Sequence, residues 1–178
     1  MPVNKQRLLK GVEALESGQY AQTKGKLCRV SGDDENRQEA YCCLGVLCEV
    51  AIKDGLNLTV AYDGDTKVYN NDESVLPYVV QQYYGLELDN PALDFGGKEA
   101  LETGELDYYL ARQYGSSTRG KQEMGKLIDD APKFKMSAAT LNDQADWNFA
   151  QIAKAFRRTY QLDESTHDLS ETDNPETE

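Results

Sequence analysis

The sequence holds a single histidine, His167, and this scarcity removes most of the chemistry its cysteines could otherwise support. A cysteine nucleophile needs a neighbouring base, and imidazole is the usual one. His167 falls in the stretch from Asp163 to Glu178, which has almost no apolar residues and reads as a disordered acidic tail. A Cys-His hydrolase is therefore not expected. The four cysteines, Cys28, Cys42, Cys43 and Cys48, also lack the paired C-x-x-C spacings of a zinc site and read as core thiols. Basic residues are scarce as well: 19 Lys and Arg face 31 Asp and Glu, giving a formal charge of -12. Nucleic-acid binders gain affinity by neutralising phosphates, so direct binding to DNA or RNA is not expected, and anionic membranes are disfavoured for the same reason. No apolar run approaches a membrane span, and Met1 to Lys10 lacks the apolar centre of a signal peptide. The expected location is cytoplasmic, with the cysteines as thiols. Gly96, Gly97 and Gly104 are not in the order of a phosphate-binding loop, so no nucleotide cofactor is expected. Asp63-Gly64-Asp65 resembles the start of a calcium loop, but Ser74 stands where the closing Glu belongs, and no metal is expected.

What is present is one apolar run, Tyr41 to Ile52, in an otherwise polar chain. Gly45 and Ala51 argue against a strand, and Asp54-Gly55 is a helix stop, so the run reads as a central buried helix. Glu49 and Lys53 form an i,i+4 pair that marks its solvent side. Cys42 shares that side and is the thiol expected nearest the surface; Cys43 and Cys48 are expected to be buried. Before it, Asn4 caps a helix from Lys5 to Glu16 closed by Ser17-Gly18. Gln19 to Arg29 reads as a polar connector and Ser31 to Gln38 as a charged loop.

After it, Leu58 to Tyr62 and Lys67 to Asn70 flank a turn and predict a β-hairpin. Leu76-Pro77 opens a helix that stops at Gly85. Glu87 to Gly97 reads as loop, and Lys98 to Tyr114 as one or two helices broken at Gly104. Asp143 or Asp146 is the expected cap of a last helix in which Phe149, Ile152, Ala153, Phe156 and Tyr160 share one face. The expectation is a single mainly α-helical domain over residues 1–162 with a small β-hairpin, followed by the tail at 163–178. Residues 87–136 read as an insertion.

Eleven tyrosines, including Tyr83-Tyr84 and Tyr108-Tyr109, exceed the needs of a small core. They either roof that core with their hydroxyls in water or line a ligand pocket or protein interface, where tyrosine is a favoured contact. The candidate binding residues are Tyr20, Gln22, Arg29, Tyr83, Tyr84, Tyr108 and Tyr109. No catalytic residue can be named.

Glu13-Ala14-Leu15-x-Ser17-Gly18-x-Tyr20-x-Gln22-x-x-Gly25-x-Leu27, Tyr41 to Cys48, Leu76-Pro77 with Tyr84-Gly85-Leu86, and Leu141-Asn142-Asp143 with Phe149-x-x-Ile152-Ala153 occur in that order. The combination resembles a family of small proteins common in tailed bacteriophages. The Cys-Cys-Leu-Gly-Val-Leu-Cys segment is its most specific part. This chain departs from the pattern by an insertion after Leu86 and by the acidic tail. The resemblance implies a phage origin and a compact, mainly helical domain, and it supplies no reaction. The functional expectation is a non-enzymatic accessory protein that binds a host protein in the host cytoplasm. Two alternatives are a sponge that sequesters a small nucleotide or immune signal in a tyrosine-lined pocket, and a DNA mimic acting through its acidic surface. An enzyme using carboxylates that no motif singles out is a further class.

Overall fold

The Asn4 side chain accepts the Arg7 backbone N–H at 3.1 Å and so starts α1, Lys5–Glu16, on the expected residues. Helical spacing then places Leu8, Val12 and Leu15 together in the core. This is a computed structural model, and it describes residues 1–33, 36–96 and 135–163. The expected helices over 98–114, the interior of the insertion and the tail beyond Asp163 lie outside the described residues.

The expectation of a mainly α fold is overturned by a five-stranded mixed sheet, ordered β1-β3-β2-β5-β4, and a separate two-stranded ribbon. The protein is α+β. Strand β1 (Ala21–Gln22) runs parallel to β3 (Gln38–Tyr41), and β2 (Cys28–Ser31) lies antiparallel between β3 and β5 (Thr66–Tyr69). Strand β4 (Val60–Asp63) closes a hairpin with β5 and forms the sheet edge. The hairpin is therefore present, but as part of a larger sheet. The polar connector and charged loop expected over residues 19–38 contain β1, β2 and the start of β3. These segments are short and polar: β2 and β3 pair with one another as near neighbours in the chain, Ser31 opposite Gln38, and only β5 joins β2 from further along, so pairing rather than propensity makes them strands.

Helix α2, Cys43–Lys53, is buried almost throughout and starts later than expected, because Tyr41 still belongs to β3 and Cys42 is the N-cap. Gly45 lets the sheet approach: a Cβ there would stand 1.7 Å from the Leu27 carbonyl oxygen. Cys42 is not at the surface; all four thiols are buried. The expected Glu49–Lys53 pair does not form the solvent face either. Glu49 turns inward to the sheet, and Lys53 donates to the Tyr20 hydroxyl at 2.8 Å.

Helix α3, Tyr78–Tyr84, ends as expected at Gly85, whose φ of 70° is left-handed. Within the stretch read as loop, β6 (Ala92–Asp94) pairs with β7 (Lys135–Ser137). Ser137 caps α4 (Ala138–Asp143). The last helix, α5 (Phe149–Tyr160), is capped neither by Asp143 nor by Asp146 but by Asn148, in a capping box with Gln151. Helix α1 packs against both α2 and α5, so the N-terminal helix joins the two halves of the core.

Candidate functional site

Residues two apart along a strand share a face, and so do paired residues across strands. The register Tyr41↔Cys28↔Lys67↔Tyr62 therefore makes one row across β3, β2, β5 and β4 on the side facing α2. Lys67 is buried in this row, and its ammonium donates to Glu49 at 2.7 Å and to Glu39 at 3.1 Å. Tyr69 donates to the same Glu49 oxygen at 2.7 Å, Tyr62 donates to Glu39 at 3.1 Å, and Tyr41 also donates to Glu39. This network joins three tyrosines, two carboxylates and one buried lysine, and it is the first place to look for chemistry.

Its electrostatics hold each proton in place. Burial would lower the Lys67 pKa, but Glu49 and Glu39 outweigh it and the net direction is up, so the amine stays charged and is no nucleophile. Burial would raise the Glu39 carboxyl, but hydrogen bonds from Tyr41, Lys67 and Tyr62 overcome it and hold it below the usual range. Burial, then Glu39, pushes the Cys28 thiol up to about 12. Burial together with the carboxylates they serve keeps Tyr41 and Tyr69 neutral. A general acid or base works best with a pKa near the operating pH, and these groups are driven away from it. The cluster's evident work is to fix the sheet on α2.

Among the described residues, the candidate binding residues do not converge on one site, although Tyr83 and Tyr84 meet edge-on at 4.8 Å. Tyr84 is fully buried and donates to the Leu47 carbonyl at 2.8 Å. Tyr83 is also buried, donating to Asp54 beneath the Arg7 guanidinium, which lies 4.3 Å from its ring centroid. Tyr20 meets Tyr41 edge-on at 5.3 Å. Arg29 lies on the opposite sheet face and pairs with Asp65 at 3.0 Å. Gln22 donates to Asn142 Oδ1 at 2.9 Å and to the Trp147 carbonyl at 2.8 Å. Tyr108 and Tyr109 lie outside the described residues.

Two surface features remain. The first is strand β4, whose four residues are all exposed. Asn70 N–H donates to the Thr59 carbonyl at 2.8 Å, so by antiparallel alternation residues 59, 61 and 63 bond inward to β5. Val60 and Tyr62 consequently point their backbone N–H and C=O groups to the open edge. Their side chains are 38% and 48% exposed, among the few large hydrophobic groups that reach solvent. The alternation of Val60 and Tyr62 before a two-residue turn was the available signal for this edge; nothing in the sequence indicated that Glu39 would point inward to Lys67.

The second is a cleft of about 310 Å³ where the N-terminal segment, the residues after α3 and the end of α5 meet. Val3, Leu88, Pro91 and Ala92 give it apolar walls, while Glu87, Lys135, Thr159 and Tyr160 bring polar groups. Among the described residues no three His, Cys, Asp or Glu side chains gather as metal ligands, and no helix is long and apolar enough to cross a membrane.

Comparison with curated proteins and with solved structures finds no match. A family model described as a domain of unknown function, DUF8296, matches residues 4–160, from the α1 cap to the last residue of α5, and the chain belongs to that family.

Proposed function

We propose that this protein is a non-catalytic binding protein, of the phage accessory kind that the sequence resemblance implies, which takes an extended segment of a basic host protein as an added strand on β4. The observation that carries the reading is the outer edge of β4, where Val60 and Tyr62 offer backbone groups unpaired among the described residues together with exposed side chains. Strand addition draws affinity from main-chain hydrogen bonds and specificity from alternate side chains, and this edge supplies both. Natural sheets usually blunt such edges with charge, proline or a bulge. Here β4 carries one charged residue, Asp63, at its end next to the turn.

Charge favours a basic occupant over a second copy of the chain. At a net -12, two copies repel one another, whereas a basic segment is drawn in. The proton-locked cluster beneath the edge supports a recognition role rather than catalysis, because its amine and carboxylates are engaged in tying β5 to α2.

The test is Val60→Pro. Proline there removes an outward N–H and no ladder bond to β5, so the fold is kept while strand addition is blocked. Recovery of one host protein by the wild-type chain and its loss with Val60→Pro supports the reading. Equal recovery by both chains, or recovery of no partner by either, overturns it.

A further inference from the structure

We infer that the cleft between the N-terminal segment and the end of α5 is a binding site for a small amphipathic anion, an apolar body bearing one carboxylate or one phosphate. The site is separate from the β4 edge, and neither reading depends on the other. At about 310 Å³ it falls at the lower end of the range for small-molecule pockets. Its walls divide by chemistry. Val3, Leu88, Pro91 and Ala92 offer only aliphatic surface, and Leu88 is 55% exposed. An apolar ligand body would take this surface out of water.

The polar groups set the ligand's sign. Thr159 is already engaged, accepting the Asp94 backbone N–H at 2.7 Å and donating to the Ala155 carbonyl at 2.7 Å. Lys135 begins β7 with an exposed side chain that forms no ion pair among the described residues. It is the cation among the described lining residues, and an anionic group within its reach gains a charge-assisted hydrogen bond. The Tyr160 ring stacks on Phe156 at 6.2 Å, which fixes one wall. Burial, then Glu87, pushes its hydroxyl up to about 12, so it stays protonated and able to donate. Glu87 is the lining group of opposite sign, and it opposes an anion.

That opposition yields a test of two signs. Anilinonaphthalene sulfonate, an aromatic anion whose fluorescence rises on burial, is titrated into the full chain at low salt. Decanoate and phenyl phosphate then serve as competitors, to separate a carboxylate ligand from a phosphate one. Lys135→Gln is expected to weaken binding at least fivefold and Glu87→Gln to tighten it at least twofold. Both side chains are exposed, so the melting temperature reports whether either variant has lost its fold. Saturable binding that shifts in these opposite directions, with displacement by either competitor, supports the site. No saturable binding, displacement by neither competitor, or equal affinity in wild type and both variants overturns it.

Discussion

Gln22 Nε2 donates to Asn142 Oδ1 at 2.9 Å, tying the strand after α1 to helix α4. The same oxygen accepts the Cys43 backbone N–H at 3.3 Å, and Asn142 Nδ2 donates to the Thr23 carbonyl at 2.8 Å. Asn142 is fully buried, and this one amide satisfies the first turn of α2, the end of β1 and the Gln22 side chain together.

Asn142→Ala should therefore destabilise by about 3 kcal/mol, the upper end for stranding buried polar groups, since several partners lose it at once. Gln22→Ala, at a more exposed position, should cost about 1 kcal/mol. Urea unfolding of both single variants and the double variant checks this. A coupling energy of about 0.5 kcal/mol or more is expected, and strict additivity would mean that the bond adds nothing.

Gly45→Ala should also destabilise, against the rule for helices. Alanine in a helix interior is favoured over glycine by about 1 kcal/mol. Here the new methyl would meet the Leu27 carbonyl oxygen at 1.7 Å, and that backbone atom cannot swing aside. Overpacking typically costs about 1–3 kcal/mol, and contact this close lies at or beyond the upper end. A melting temperature raised by the substitution would contradict the close approach.

The cluster around Lys67 should give stability a defined pH dependence. The folded pKa of Glu39 lies below its ordinary value of 4.5. Its contribution is thus fully present above that value and is lost as pH falls through the folded pKa. Lys67 has the opposite sense: its raised pKa makes its contribution full below the ordinary 10.5 and lost as pH rises through the folded value. Glu39→Gln should flatten the acid limb of a stability profile below pH 4.5. Glu49→Ala, which leaves the buried Lys67 with Glu39 as its remaining carboxylate and takes the acceptor from Tyr69, should cost about 3 kcal/mol at neutral pH.

The thiols should be silent in the native protein. All four are buried, so a disulfide reagent should label none of them at neutral pH and all four in denaturant. This holds even for Cys42. The neighbouring Cys43 thiol lowers its pKa, with help from the first backbone N–H groups of α2. Burial still bars the reagent. Rapid labelling in the native chain that is lost with Cys42→Ser would place Cys42 at the surface after all.

The helices were legible where periodicity and caps agree. Asn4, the Leu8-Val12-Leu15 face and the Gly85 stop each carry a local physical signal. The sheet was not: β2 and β3 are joined by a short polar stretch without an alternating apolar pattern, and Glu39 meets Lys67 only once β5 is laid beside β2. Gln22 drew notice as a binding residue, yet its partner Asn142 stands 120 positions away, and no local pattern links an amide to an amide across that distance. The tyrosine pair Tyr83-Tyr84 shows the same limit. Composition marks the rings as unusual, and only packing shows that both are buried, one hydroxyl reaching Asp54 and the other the Leu47 carbonyl.

Amide hydrogen exchange at Val60 and Tyr62, free and saturated with the partner that the wild-type chain recovers, reports strand addition on β4 residue by residue. The free protein should exchange both amides rapidly, because they face the open edge. Partner binding should slow both while leaving the amides of Ala61 and Asp63, already bonded to β5, little changed. Unchanged exchange at Val60 and Tyr62 in the saturated complex would contradict the account.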